Sequence, residues 1–76
     1  MSVEVLFFGK LVEIAGTSLT IKDVKTTEEL LEQLRLQCPL LAAEKYIVAV
    51  DKKTITGNTS LADNCTVALL PPFSGG

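Results

Sequence analysis

Apolar residues along this chain change their spacing several times, and each change marks an element. Residues 3–8 are rich in β-branched and aromatic side chains and stop at Gly9, which predicts a short strand. Leu11, Ile14 and Ala15 then fall at helical spacing, with Gly16 placed for a left-handed C-terminal cap. Residues 18–24 alternate, Leu19 and Ile21 on one face and Thr20 and Lys22 on the other, as a half-buried partner of the first strand would. Thr26 and Glu29 form a capping-box pattern in which each side chain serves the other's backbone N–H. Leu30, Leu31, Leu34 and Cys38 mark one face of the helix that follows, and Pro39 closes it. Residues 46–50 predict a strand, the polar residues 51–53 a turn, and Thr54 and Ile55 a short return. Residues 56–59 carry turn chemistry, and Leu61 is placed to plug the core from a single helical turn beginning near Ser60. Asp63 and Asn64 turn the chain again before a last strand over 65–70, which Pro71 and Pro72 end because neither can donate to a ladder. The predicted fold is α+β: a mixed sheet of four to five strands curled over one main helix.

With 76 residues there is room for one small domain. Hydrophobic residues at 47% and charged ones at 21% exclude an intrinsically disordered chain. Seven Lys and Arg against nine Asp and Glu give a net charge of -2, which argues against nucleic acid as a partner. Histidine is absent from the sequence, and with it the Ser-His and Cys-His nucleophile pairs and Cys/His zinc sites. Glu28, Glu29 and Glu32 are accounted for by a helix N-terminus and its solvated face. No metal site and no active-site machinery of the chain's own is expected. Cys38 and Cys65 are too far apart for C-x-x-C chemistry and are expected as buried small hydrophobes, a disulfide or reactive thiol being the alternative. Neither a signal peptide nor a membrane span is visible, so a cytoplasmic protein without a membrane partner is expected. Lys52 and Lys53 at a hairpin tip fit solubility or a meeting with a partner. Lys10 stands at the start of a helix, where a cation is electrostatically unfavourable. Gly9, Gly16 and Gly57 have turn spacing and not that of a phosphate-binding loop.

Two features exceed what a plain small domain needs. If Val3, Val5 and Phe7 face the helix, period two sends Leu6 and Phe8 outward, and Leu70 likewise with Thr66 and Ala68 on the last strand. An apolar patch on the open face of a single-layer sheet marks a protein interface unless loops or Phe73 cover it. The other feature is the tail, Pro71, Pro72, Phe73, Ser74, Gly75 and Gly76. Two prolines stiffen its base, and two glycines without side chains can thread a narrow channel. Six extended residues reach roughly 20 Å. A terminal carboxylate, ionised at neutral pH, resists attack and requires activation, most simply as a mixed anhydride with AMP.

The start, Val5 to Gly9, the following Leu11 to Gly16, and the ending Leu70 to Gly76 resemble the small subunit of molybdopterin synthase. These are sulfur carriers with the ubiquitin-like β-grasp fold. Thr54 departs from the apolar residue that the family tends to place in this hairpin. The resemblance implies a β-grasp domain over 1–70 and a flexible tail over 71–76. It implies that an E1-like adenylating enzyme, using ATP and Mg²⁺, activates the carboxylate of Gly76, and that a sulfurtransferase supplies the sulfur that displaces AMP. The resulting thiocarboxylate would enter the large synthase subunit on Gly75, Ser74, Phe73, Pro72 and Pro71, and deliver sulfur to cyclic pyranopterin monophosphate. Two deliveries would build the molybdopterin dithiolene of the molybdenum cofactor. Leu6, Phe8 and Leu70 would meet the large subunit in a heterotetramer, and the carrier itself would bind no cofactor. A sulfur carrier for thiamine or tRNA thiolation, and a ubiquitin-like protein modifier, are the alternatives.

Overall fold

A computed structural model describes residues 2–72 of the chain. Strand β1 (Ser2–Phe7) leads into the short helix α1 (Leu11–Ala15) and returns as β2 (Ser18–Lys22). Helix α2 (Thr27–Gln37) follows, then a 3-10 helix (Pro39–Ala43), and then β3 (Ile47–Val50), β4 (Lys53–Ile55) and β5 (Thr66–Leu70). The sheet runs β2-β1-β5-β3-β4. β1 and β5 are parallel in its middle and the other pairs are antiparallel, so the expected mixed sheet is present with five strands. One face is closed by α2, whose Leu30 and Leu34 share a core with Val3, Val5, Phe7, Ile21, Val67 and Leu69. Burying a leucine in this way contributes about 1.5–3 kcal/mol.

Several local expectations are corrected. β1 stops at Phe7, because Gly9 at φ 59° turns the chain away one residue after Phe8. Gly16 lies at φ 88° and ψ −171°, an extended counterpart of the left-handed cap, while its N–H still donates to Val12 O at 2.8 Å. Asp23 at φ 62° ends β2 before Val24, which turns inward and is buried. Thr26 Oγ1 accepts from Glu29 N–H at 3.3 Å as expected, but the Glu29 carboxylate reaches past Thr26 to the N–H of Lys25 at 2.7 Å. Thr26 is instead bridged to Ser60. Pro39 closes α2 but also opens the 3-10 helix, at whose start its missing N–H costs nothing. Tyr46 precedes β3, and Cys65 precedes β5. No helical turn forms at Ser60; Leu61 is buried all the same, and its N–H donates to Lys25 O at 2.7 Å. The turn after β3 is two residues long, with Asp51 and Lys52 both at positive φ, and Lys53 already pairs with Val50. Both cysteines are free, Cys65 buried as expected and Cys38 only half-buried at the C-cap of α2.

Candidate functional site

Pairing register fixes what the open face of the sheet displays. One row runs Ser18–Leu6–Ala68–Ala49–Thr54 across all five strands. Its middle is apolar and its ends are polar. Toward the end where β5 hands over to residue 71, Leu70 lies opposite Ile47, and alternation beyond Leu6 brings Phe8 to the same side. The row in the other direction holds Thr20, Glu4 and Thr66 and is polar. The apolar surface is therefore confined to the end of the sheet from which the tail departs. Phe8 is 42% exposed, while Leu6 and Leu70 are half-buried by their neighbours.

The small side chain of Ala68 sits in a depression of this surface. A groove of about 360 Å³ is lined by Leu6, Phe8, Ala68, Thr66, Asp51 and Lys52. The hairpin tip walls it because Asp51 Oδ1 accepts from Thr66 N–H at 3.1 Å and Asp51 N–H donates to Thr66 O at 2.8 Å. Lys52 is thereby placed at the groove, whereas Lys53 joins the β4 edge. Thr54 is exposed on the open face beside Ala49.

The tail base is seated on the same edge. Phe8 N–H donates to Leu69 O at 3.2 Å, and Pro71 then lies against Gly9. Pro71 is half-buried and Pro72 exposed. Phe73, Ser74, Gly75 and Gly76, expected to carry the reactive end, lie outside the described residues. Lys10 is accounted for by Glu44, whose Oε1 sits 3.0 Å from its Nζ at the far end of the 3-10 helix. Such a solvated pair is worth no more than about 1 kcal/mol.

A second cavity, about 370 Å³, opens on the helix side between α2, Tyr46, Val48, Ile55 and Asn58. It is no anion site, since Asn58 Oδ1 accepts from Glu28 N–H at 3.0 Å and Thr26 caps Glu29. Among the described residues no three His, Cys, Asp or Glu side chains gather at metal-binding distance. No helix among them is long and apolar enough to cross a membrane.

Leu6, Phe8 and Leu70 are thus brought together as the alternation predicts. Ile47 and Gly9 belong to the same site and were not legible as such. Residues 46–50 are apolar throughout, so period two does not say which side chains face out. Gly9 reads as a turn residue until Pro71 is placed beside it.

Comparison with known proteins follows the same outline. The profile of the ThiS family matches residues 5–76. A chain of the protein-protein complex of subunits 1 and 2 of molybdopterin-converting factor from Helicobacter pylori is similar at 32% identity and a TM-score of 0.73, each chain covered over 100% of its length. SAMP1 from Haloferax volcanii superposes with a TM-score of 0.83 at 24% identity, again over 100% of both chains. The small archaeal modifier protein 1 of Methanosarcina acetivorans gives a TM-score of 0.83 at 24% identity over 99% of this chain and 96% of its own. The last two likenesses bear on the fold alone, which is ubiquitin-like β-grasp.

Proposed function

This chain belongs to the ThiS family, and from that premise we propose that it is the sulfur-carrier subunit of a molybdopterin synthase. The family and fold make it a ubiquitin-like sulfur carrier or modifier; the choice of pathway is the proposal. One observation carries it: the apolar rows of the open sheet face surround the point where the tail leaves. A carrier whose partner must both hold the domain and receive the tail needs those two features side by side. The Helicobacter pylori neighbour, a chain of a complex of subunits 1 and 2, supports a large-subunit partner for that face.

In this reading Gly76 is the working residue. An E1-like enzyme transfers AMP from ATP to its carboxylate with release of pyrophosphate, Mg²⁺ serving that enzyme's ATP. A sulfurtransferase persulfide then attacks the acyl adenylate, AMP leaves, and a thiol reduces the acyl disulfide so formed to the thiocarboxylate. The thiocarboxylate enters the large subunit with Gly75, Ser74, Phe73, Pro72 and Pro71 as its stalk, and Leu6, Phe8 and Leu70 dock on the rim. The carrier contributes position, and its partners contribute the acid-base and electrostatic work. A cytoplasmic heterotetramer with two large subunits belongs to the same proposal.

The test is the intact mass of the protein after incubation with its activating enzyme, ATP and a sulfur donor. The expected result is exchange of one oxygen for sulfur, followed by loss of that sulfur to the pterin precursor when the large subunit is added. Sulfur that forms but reaches only a thiazole or tRNA acceptor would reassign the pathway. Isopeptide linkage to lysines without thiocarboxylate would make the chain a modifier.

A further inference from the structure

Gly9 does something that the other described glycines do not. Gly9, Gly16 and Gly57 all have positive φ, at 59°, 88° and 74°. A Cβ added to Gly16 or Gly57 would meet nothing within 4 Å. On Gly9 it would stand 2.7 Å from Pro71 Cγ and 3.4 Å from Pro71 Cδ. The bare Cα is a seat for the proline ring.

We propose that Gly9 is a positioning residue for the C-terminal tail, setting through Pro71 the direction in which the reactive end leaves the sheet. This rests on the sulfur-carrier reading for its consequence in catalysis. Were the seat filled, one side would have to give. The loop carrying Gly9 is fixed: Phe8 N–H donates to Leu69 O at 3.2 Å, Leu11 N–H donates to Phe8 O at 3.2 Å, and Leu11 is fully buried. Pro71 has to move instead. Its ring is closed on its own nitrogen, so any displacement beyond what a change of Cγ pucker absorbs turns the backbone that follows. An ordinary side chain in place of Pro71 would rotate aside and leave the tail where it was.

Positive φ alone would also explain a glycine here, so the test separates the two causes. Asn tolerates the left-handed region better than other residues yet brings a Cβ. With the activating enzyme, Gly9→Asn is expected to lower kcat about 10-fold or more, since small misplacement of a reacting group is costly. KM is expected to stay unchanged, because the change at Gly9 leaves the folded domain that the enzyme grips as it was. In a Pro71→Ala background, which removes Cγ and Cδ, adding Gly9→Asn is expected to cost nothing further. Gly57→Asn, at similar φ but in open space, serves as the control with wild-type kinetics. Wild-type kcat in Gly9→Asn, or a loss equally large in the Pro71→Ala background, would overturn the proposal. If Gly9→Asn folds only in the Pro71→Ala background, the seat is upheld by that rescue; if it folds in neither, positive φ alone demands the glycine and the proposal is overturned. If the wild-type chain accepts no sulfur, the carrier reading fails, and the Cα–Hα residual dipolar couplings of Pro72 decide on the seat. They must change relative to the sheet in Gly9→Asn but not between Pro71→Ala and the double variant; unchanged couplings in Gly9→Asn overturn it.

Discussion

Cys65 and Cys38 are both free thiols, and their surroundings set them apart. Burial pushes the Cys65 thiol up, and the negative charge of Asp51 adds to the effect. A raised thiol pKa favours the folded state only while the thiol is protonated. As pH climbs past the ordinary thiol range, the unfolded chain releases this proton more readily than the folded one, and the stabilisation is lost. Urea midpoints should therefore fall on the alkaline side, and Cys65→Ala should remove that part of the slope. In native protein at neutral pH an aromatic disulfide reagent should label half-buried Cys38 first and Cys65 only on opening; equal rates would refute the difference. Phe8 carries a second residue-scale prediction. Its ring is 42% exposed on the open face, so Phe8→Asp should weaken binding to the large subunit by about 1 kcal/mol or more while barely moving the unfolding midpoint. Calorimetric titration beside thermal unfolding checks this, and gross unfolding would mean that Phe8 is core. Phe8 was legible because the one polar residue of 3–8, Glu4, sets the phase of the alternation. The Gly9–Pro71 contact was not, since nothing local in either segment names the other.

Among the elements, α2 was the most legible and still kept something back. Its capping Thr26, its acidic first turn and its buried Leu30 and Leu34 all follow from the local sequence. Its first turn is nonetheless finished by a distant loop. The buried Thr27 hydroxyl accepts from Thr59 N–H at 2.9 Å and is 3.3 Å from Asn58 Oδ1, which also takes the Glu28 N–H. Truncating Asn58 to Ala strips two donors of their acceptor at once, and should cost about 1 kcal/mol or somewhat more by urea denaturation. Faster amide exchange at Glu28 should accompany it; unchanged exchange there would show that water replaces the side chain without loss. The 3-10 helix escaped the sequence for a physical reason. Its five residues give too little periodicity, and Pro39 reads equally as a stop and as a start. Its Leu40, like Leu36 on α2, is left largely exposed, at 68% and 70%. Leu61 shows the converse: its burial followed from the sequence, but the bridge that delivers it, Thr26 to Ser60, joins segments that no local pattern connects.

At the scale of the whole molecule, the described core and the proposed reactive end lie on separate stretches of chain, while the docking face is the outer side of the core strands. Core residues run from Val3 to Leu69, and the parallel β1–β5 pair closes this range on itself by joining the chain's first strand to its last. Among the described residues every core side chain lies before Pro71. A 76-residue domain buries only about 60% of its unfolded surface and has little stability to spare, so any segment the core needed would show itself sharply on removal. Deleting Gly76 should leave the thermal midpoint and the amide spectrum of residues 2–70 as they are. The same deletion should abolish the oxygen-for-sulfur mass change, since the carboxylate to be activated is displaced by one residue from where the activating enzyme expects it. The truncated chain should still compete with the wild type for the large subunit, because Leu6, Phe8 and Leu70 are untouched. Loss of competition would shift the binding energy from the sheet face to the tail, and retained sulfur transfer would remove Gly76 from the chemistry altogether.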